Sequence, residues 1–558
     1  WLKPFCSSLL ALRSGSAISC RRFAGRAAMG NRVGSGADRD FVSELEARVG
    51  RIPLSGRYHK DPKRLEDDYD VQNQVLGSGY SGAVRLATRR ESTPSSQKKF
   101  AVKAFKLSAV AADKRAQLES EVTIFLCMDH PHVTRLFDVY DSDDHLHLVM
   151  ECMEGGELFD RVIELKTFSE RDAADAVWQM LLALNYIHSH GIVHRDLKLE
   201  NFLYESKDSS HLKLIDFGFS KVWDPNIKMH MSCGTLSYVA PEVLRKSYTS
   251  QCDLWGLGVI AFILLVGYMP FSGAEDKQTR DIQAGNFKVK PERWALVSPQ
   301  AREFVTSLLQ VNPDVRLTAK SALKHKWIAD RHSHKTVEMD GSIIDALRSF
   351  GCACRFRRCC MEMMAWSLSN EERSSVRDYF ISMDKDNNGT ISLNELREAL
   401  KDKFHVPDEE AMRIFDALDT NHDEEIHYSD FLAAMVSTRI KLHDSLLADT
   451  FKRFDVDSSG YITRENLQEI LGASAEDVDR LLLEVDGLNC GQEDGRISYP
   501  EFVSYMRGDP QGHHADKTVS VIDSHLEASS DRRKGSLVRP QTILVEDGPE
   551  ETSACSIA

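Results

Sequence analysis

The sequence lacks an apolar run long enough to cross a bilayer. The nearest candidate, LWGLGVIAFILLVGYMPF at 254–271, is interrupted by glycines, whereas a membrane-spanning helix needs roughly 18 or more predominantly apolar residues. Cysteine is also sparse, with twelve in 558 residues and most of them unclustered. This usage fits a reduced, cytoplasmic protein better than a disulfide framework.

Acidic residues are missing from the first 37 positions, which carry six Lys or Arg. We interpret 1–68 as a variable, basic segment that resembles an organelle transit peptide. The alternative is sequence read through upstream of a start at Met29, which would make Gly30 an N-terminal glycine. Acylation of Gly30, and with it peripheral membrane association, stays open because the myristoylation pattern wants Ser or Thr where Gly34 stands.

Charge is distributed unevenly along the chain. The composition, 42% hydrophobic and 28% charged, is that of an ordinary globular protein with a net charge of −15. Residues 370–506 contain 31 acidic and 14 basic side chains, so this segment accounts for the net negative charge of the chain. The pattern predicts an acidic module beside a nearly neutral one, and no nucleic-acid partner is expected.

The stretch VLGSGYSGAV places Gly77, Gly79 and Gly82 between two β-like runs. Glycines at this spacing let backbone N–H groups approach phosphates closely. The following FAVKAF puts Lys103 on a strand, and AQLESEVTIFLC predicts a helix that offers Glu121 to it. Such a pair would hold the lysine on nucleotide phosphates.

Two later motifs, IVHRDLKLENFLY and LKLIDFGFS, complete a set in a fixed order. With them the segment from Tyr69 to Ile328 resembles a eukaryotic protein kinase. The resemblance implies that Asp196 accepts or orients the substrate hydroxyl proton and that Lys198 reaches the transferred phosphoryl group. It further implies that Asn201 and Asp216 hold magnesium, that Lys103 positions ATP, and that Glu121 pairs with Lys103.

The same resemblance implies the nucleotide pocket. Its residues are Leu76, Gly77, Gly79, Gly82, Val84, Ala101 and Lys103, with Met150 as gatekeeper and Glu151 and Met153 on the hinge. Glu157 and Glu200 stand where basophilic kinases read an arginine before the target Ser or Thr, the alternative being ordinary surface carboxylates. Thr235 is expected to pack against the catalytic loop, and Glu242 to form a structural ion pair with Arg316.

The acidic segment contains an internal repeat, because isoleucine recurs at 391, 426, 462 and 497. Four helix–loop–helix units follow from this period, and DKDNNGTISLNE matches a calcium EF-hand loop. The expected calcium ligands are Asp384, Asp386, Asn388, Thr390 and Glu395 in loop 384–395; Asp419, Asn421, Asp423, Glu425 and Asp430 in loop 419–430; Asp455, Asp457, Ser459 and Tyr461 in loop 455–466; and Asp494, Arg496 and Glu501 in loop 486–501.

The four loops differ in quality. Glu424 replaces the turn glycine of the second loop, and Asn466 replaces the terminal glutamate of the third. The fourth either uses Asp486 through a longer loop or is structural. The expected order for calcium is first, third, then second and fourth, and the module at 370–507 resembles calmodulin.

Between the two modules, at 329–369, apolar residues recur at helical spacing beside arginines at 348, 355, 357 and 358. A basic amphipathic helix suits both an acidic EF-hand lobe and a kinase cleft that reads arginine. Its cysteines lack histidine partners nearby, which disfavours a zinc site.

Taken together, the segment from Tyr69 to Met506 resembles the calcium-dependent protein kinase family. The expected fold is a two-lobed α+β kinase, with a β-rich N-lobe and a helical C-lobe, followed by an all-α calmodulin-like domain of two EF-hand pairs. The expected function is calcium-activated transfer of the ATP γ-phosphate to Ser or Thr of basic protein substrates, with the junction helix as autoinhibitor. The alternatives are a non-catalytic calcium-binding scaffold and a kinase that uses separate calmodulin.

The C-terminal tail, 508–558, is polar and predicted to be disordered. It ends in CSIA, which offers Cys555 as a prenyl acceptor. The acidic EDGPEET upstream of that motif argues against a membrane anchor there.

Overall fold

The computed structural model describes residues 57–79, 82–90, 98–107, 118, 122, 124–165, 168–216, 221–222, 229, 235–332, 341–436, 440, 442–457, 459–471, 478–479, 481–482, 485 and 495–508. Gly30, Glu121, Asp494, Cys555 and the tail beyond 508 lie outside these residues. The expectations for acylation, for the Lys103–Glu121 pair and for prenylation therefore remain predictions.

The N-lobe is a six-stranded sheet. Its strands are β1 (Tyr58–Lys60), β2 (Tyr69–Gly79), β3 (Gly82–Arg89), β4 (Lys99–Lys106), β5 (Leu136–Asp141) and β6 (His145–Glu151), in the spatial order β1-β5-β6-β4-β3-β2. Neighbouring strands are antiparallel except β1 and β5, which run parallel. The strands β4 and β5 are rich in valine and aromatic residues and are buried along most of their length, as expected for central strands.

The strand β1 extends the sheet upstream of the predicted kinase boundary at Tyr69. Tyr58 pairs with Val139, and the fully buried Arg57 donates to the carbonyl of Leu136 at 2.6 Å. The segment at 57–60 is therefore part of the folded N-lobe.

The C-lobe is helical and surrounds one apolar helix. That helix, Gln251–Val266, is buried on all sides, which is why its sequence has no polar face. The other helices here are Leu158–Leu165, Glu170–Ser189, Pro241–Leu244, Glu275–Ala284, Pro291–Trp294, Pro299–Leu308, Ala319–Leu323 and Lys326–Ala329. Among the described helices, none is both long and apolar enough to cross a membrane.

Two short ribbons carry the catalytic segments of the C-lobe. Phe202–Tyr204 pairs with Leu212–Leu214, and Ile192–Val193 pairs with Lys221–Val222. Residues 194–201 connect Val193 of one ribbon to Phe202 of the other, so both ends of this loop are fixed.

The acidic segment forms paired EF-hands as the isoleucine repeat predicts. Ile391 bridges to Ile426, and Ile462 pairs with Ile497. The helices are Asn370–Met383, Leu393–Phe404, Asp408–Leu418, Tyr428–Met435, Asp444–Phe454, Arg464–Leu471 and Tyr499–Arg507.

The junction consists of two helices rather than the one that the spacing predicts. The first junction helix spans Gly341–Cys352 and the second Arg355–Ser367. Cys354 has extended backbone angles and is the N-cap residue of the second helix. The break follows Gly351, whose lack of a side chain weakens a helix, and it allows both helices to enter one apolar core with the EF-hands.

Candidate active site and calcium-binding loops

Three of the predicted catalytic residues, Asp196, Lys198 and Asn201, lie together in the loop 194–201. The carboxylate of the buried Asp196 accepts from Lys198 Nζ at 2.6 Å and from the Thr235 backbone N–H at 3.0 Å. Asn201 Nδ2 donates to the Asp196 carbonyl at 2.7 Å. Thr235 Oγ1 also donates to Asp196 at 3.2 Å, so Thr235 does pack against the catalytic loop.

Asp253 anchors this loop and was missed in the sequence analysis. Its two carboxylate oxygens accept from the backbone N–H groups of His194 and Arg195 at 2.9 and 2.8 Å. Burial opposes ionisation of Asp253, but the hydrogen bond from His188 at 2.8 Å, the charges of His188 and His194, and the Arg195 N–H give Asp253 a lowered pKa. The only signal in the sequence is one carboxylate in the otherwise apolar stretch CDLWGLG.

Lys103 and Asp216 meet across the cleft. Lys103 Nζ lies 3.3 Å from Asp216 Oδ1, and Lys103 is only 9% exposed. Asn201 uses its amide nitrogen for the bond to Asp196, so its amide oxygen is of the right type for a magnesium ligand together with the Asp216 carboxylate. The donor set therefore fits the magnesium prediction in chemistry.

The phosphate loop has the expected hairpin form. Gly77 pairs with Val84 and Gly79 with Gly82, and a Cβ built on Gly77 would meet no atom within 4 Å. That open face leaves room for phosphates beside the backbone. Behind it, Ala101 is buried on β4.

The predicted gatekeeper Met150 is the β6 neighbour of Ala101. Leu76 is exposed near the tip of β2, and Met153 is half-buried after β6. Glu157 is partly exposed, and burial together with the Asp160 and Glu200 carboxylates raises its pKa.

The Glu151 carboxylate accepts hydrogen bonds from three residues of the chain. It accepts from Lys213 Nζ at 2.6 Å, from the Arg135 backbone N–H at 3.1 Å and from Arg373 of the first EF-hand helix. Burial alone would raise the pKa of Glu151, but Arg373 and Lys213 lower it to about 2. The Glu151 backbone N–H is engaged as well, because it donates to the Arg135 carbonyl at 3.0 Å.

The structural ion pair of the C-lobe is present as predicted. Arg316 Nη1 lies 2.6 Å from Glu242 Oε1, and both residues are buried.

The first EF-hand loop is shaped for a cation. The Asp384 carboxylate accepts from the Gly389 N–H at 2.8 Å and the Asn388 N–H at 3.1 Å. Carboxylate oxygens of Asp384, Asp386 and Glu395 lie within 4.8 Å of one another. Burial, with a further contribution from the Glu395 and Asp386 charges, raises the pKa of Asp384 to about 7. These oxygens fit calcium, whose charge would compensate the crowded carboxylates.

The remaining ligands of the first loop are also in its interior. Asn388 Oδ1 accepts from the Thr390 N–H and from Thr390 Oγ1, both at 2.8 Å. Gly389 takes a φ of +88°, which explains the glycine at the sharp turn.

The second loop repeats this geometry without the glycine. Asp419 accepts from the Asp423 and Glu424 N–H groups at 3.1 and 3.0 Å. Glu424 takes a φ of +69°, a conformation that costs a non-glycine residue roughly 1 kcal/mol or more. Asp423 and Glu425 lie with His427 within 4.8 Å, and Asp430 accepts from the His427 N–H at 2.9 Å.

The third loop is formed around Asp455, which accepts from the Ser459 and Gly460 N–H groups, each at 2.8 Å. Asp457 accepts from Ser459 N–H at 3.4 Å. At the last position Asn466 accepts from the Thr463 N–H and brings no charge.

In the described part of the fourth loop, Arg496 stacks on Tyr461 and Glu501 accepts from the Ser498 N–H at 2.8 Å. The ranking of the four loops for calcium stays a prediction.

Comparisons with known proteins agree with both halves of the chain. The protein kinase domain family matches residues 70–328, an EF-hand domain pair matches 373–436, and an EF hand matches 447–471. Calcium-dependent protein kinase 34 of Arabidopsis thaliana is 36% identical over 471 residues, covering 82% of this chain and 87% of the relative. Calcium-dependent protein kinase 5 of Plasmodium falciparum (isolate 3D7) is 32% identical, covering 80% and 78%.

The chain belongs to the calcium-dependent protein kinase family. It is a calcium-activated serine/threonine kinase that uses ATP, and the comparisons give no support to the non-catalytic scaffold. In this calcium-dependent protein kinase, the Glu151 carboxylate accepts from Arg373 of the EF-hand module. No motif in the sequence indicates that contact.

Proposed function

We propose that calcium activates this kinase by holding the junction helices in the EF-hand core, away from the catalytic cleft, and that the arrangement described above is the released one. The carrying observation is the burial of Ile343, Leu347, Phe350 and Met364 in one core with the EF-hand helices. Apolar residues sequestered in this way are not available to a kinase cleft.

The junction arginines with described side-chain partners contact the EF-hand module. Arg348 lies 2.5 Å from Glu410, and Arg357 donates to the carbonyls of Tyr505 and Met506, both at 2.8 Å. These arginines would also suit the acidic pair Glu157 and Glu200. We propose that in the inhibited state they leave Glu410 and the two carbonyls and pair with those carboxylates.

The end of the second junction helix docks on the N-lobe, at what we call the Trp366 cradle: Arg57, Lys98 and Arg135 around Trp366. The Trp366 ring lies 3.9 Å from the Arg57 guanidinium and 4.5 Å from that of Arg135. Arg135 also donates to the Ala365 carbonyl at 2.8 Å.

Lys98 Nζ donates to the carbonyls of Ser367 and Leu368 at 2.8 and 3.1 Å. The last carbonyls of a helix have no partners within it, so Lys98 and Arg135 of the N-lobe donate here as its C-terminal cap. We propose that this capture stabilises the released state.

In the reaction, Asp196 would receive or orient the proton of the substrate hydroxyl, at the carboxylate that Lys198 and Thr235 already fix. Lys103 would hold the nucleotide phosphates beside Asp216. Magnesium bound by Asn201 and Asp216 would neutralise charge on the phosphate oxygens. Since the transfer depends mostly on positioning and charge neutralisation, the anchoring of the loop by Asp253 serves catalysis directly.

We further propose that the substrates carry a basic residue before the target Ser or Thr. The carboxylates of Asp160 and Glu200 raise the pKa of Glu157, so a guanidinium placed there would relieve their repulsion. A peptide pair that differs only by Arg against Ala, three residues before the serine, tests this. The arginine peptide should have the lower KM, and equal KM values would reject the basic motif.

The release mechanism is tested by hydrogen exchange of 341–367 in calcium and in chelator. In calcium the junction amides should be protected together with the EF-hands, and in chelator protection of the loop 194–201 should rise as the junction occupies the cleft. Unchanged exchange in both segments would reject the movement.

A further inference from the structure

The first calcium loop lies against the kinase domain. Asn185 Nδ2 donates to the carbonyl of Asn387, and the Ser189 hydroxyl is shared between the Tyr186 carbonyl at 2.8 Å and the Asn388 carbonyl at 3.2 Å. A Cβ built on Gly389 would overlap the Tyr186 ring and lie 2.9 Å from His130 Cδ2. The loop backbone is thus in direct contact with the C-lobe.

The kinase side of this contact is rigid. Asn185, Tyr186 and Ser189 belong to the helix Glu170–Ser189, and Tyr186 is 1% exposed. The Tyr186 hydroxyl accepts from the Asp129 N–H at 3.0 Å, and its ring stacks on His130 with centroids 4.9 Å apart. A surface fixed in this way can order what docks on it without paying for its own ordering.

The loop therefore has two faces with different partners. Its interior gathers the oxygens expected to bind calcium, including those of Asp384 and Glu395, whereas the carbonyls of Asn387 and Asn388 accept bonds from the kinase. Asn387 lies between the ligand positions of Asp386 and Asn388, and Asn388 is itself a ligand position, so holding their peptide groups restricts the segment that must close around the ion.

We infer that the kinase helix is part of the first calcium site: Asn185 and Ser189 act as positioning residues that raise the calcium affinity of loop 384–395 when the domains are docked. This rests on the proposed function only in taking that loop as a calcium site. A flexible loop loses conformational freedom on binding, and a partner that orders it beforehand lowers that loss.

Coupling of this kind is reciprocal, because linkage requires calcium in the loop to strengthen docking by the same factor by which docking strengthens calcium binding.

The positive charge of Lys320 lies beside the same loop and opposes the binding of a cation there. Lys320 Nζ lies 3.0 Å from Asp386 Oδ2, and both side chains are largely exposed, so the pair is screened. Lys320 is left unchanged in the test below, since removing it would alter docking and cation repulsion together.

The test measures calcium binding to the full chain by competition with a chromophoric chelator, without ATP or substrate. The variant carries Asn185→Ala with Ser189→Ala. With two hydrogen bonds removed, the calcium affinity of the first site should fall about tenfold. Ser189→Thr keeps the hydroxyl donor and should retain the wild-type affinity.

A cycle with Glu395→Gln assigns the effect to one loop. In that background, where the first loop is disabled, the double change should leave the remaining calcium sites unaffected. Unchanged calcium affinity of a normally folded double variant would overturn the inference, and so would an equal loss of affinity in the Glu395→Gln background.

If the double variant unfolds, Ser189→Ala alone replaces it, with an expected loss of about threefold and the same overturning outcomes. Because the readout is binding in the absence of substrate, a failure of calcium to control phosphorylation would not be mistaken for a failure here.

Discussion

The Trp366 cradle offers the sharpest quantitative prediction. Trp366 is 5% exposed between two guanidinium groups. A cation–π contact of this kind contributes about 1 kcal/mol, so Trp366→Ala should remove about 2 kcal/mol from the docked state. This corresponds to about a 30-fold change in the docking equilibrium.

If calcium in two loops, the first and the third, drives docking cooperatively, the calcium concentration for half-maximal activity should rise by about the square root of that factor, or fivefold. Maximal activity at saturating calcium should be retained, since the change leaves the contacts of Asp196 with Lys198 and Thr235 in place. Trp366→Phe keeps an aromatic face and should shift the midpoint by about twofold.

The assay is peptide phosphorylation across buffered calcium concentrations, with thermal unfolding as a check on folding. Arg57→Ala removes one of the two guanidinium contacts with the ring and should shift the midpoint in the same direction. A folded Trp366→Ala variant with an unchanged calcium midpoint would refute the role of the cradle.

Three further predictions concern catalysis, pH and stability. Asp196→Ala should lower kcat by 100-fold or more while calcium binding stays at the wild-type level; substantial residual transfer would remove Asp196 from the mechanism. Burial raises the pKa of Glu362 from 4.5 to about 7. The folded state therefore binds the additional proton, and stability should fall as pH rises from about 4.5 to 7, by about 3 kcal/mol in all. Glu362→Gln should remove that slope in denaturant unfolding, and parallel wild-type and variant profiles would contradict this. Glu242→Ala leaves Arg316 buried without its carboxylate and should destabilise the kinase domain by about 3 kcal/mol or more; an unchanged unfolding midpoint would count against that ion pair.

Much of the fold could be predicted because its signals are local. The order of the kinase motifs predicts the two lobes, and the isoleucine repeat predicts the helix–loop–helix units, in which the structure pairs Ile391 with Ile426 and Ile462 with Ile497. Each signal depends on chemistry within one short segment, such as the glycine required at the +88° φ of Gly389.

The contacts between domains could not be predicted in the same way. Glu151 and Arg373 are 222 positions apart, and neither stands in a motif that would mark it as a partner of the other. The strand at 58–60 is too short to show a period-two pattern.

One residue, Gly351, indicates a break in the junction helix. The helical spacing of the apolar residues on both sides of it predicts one continuous helix instead. Tertiary packing favours the break, because two separate helices can bury both apolar faces in the EF-hand core.

Calcium control of phosphoryl transfer is tested most directly by measuring the phosphorylation rate of one basic serine peptide across a calcium titration, from chelator to saturation, with Asp196→Ala as the inactive control. We expect a low phosphorylation rate in chelator, a steep rise of that rate with calcium, and no phosphorylation by the Asp196→Ala control at any calcium concentration. A rate equal in chelator and in saturating calcium would contradict this expectation.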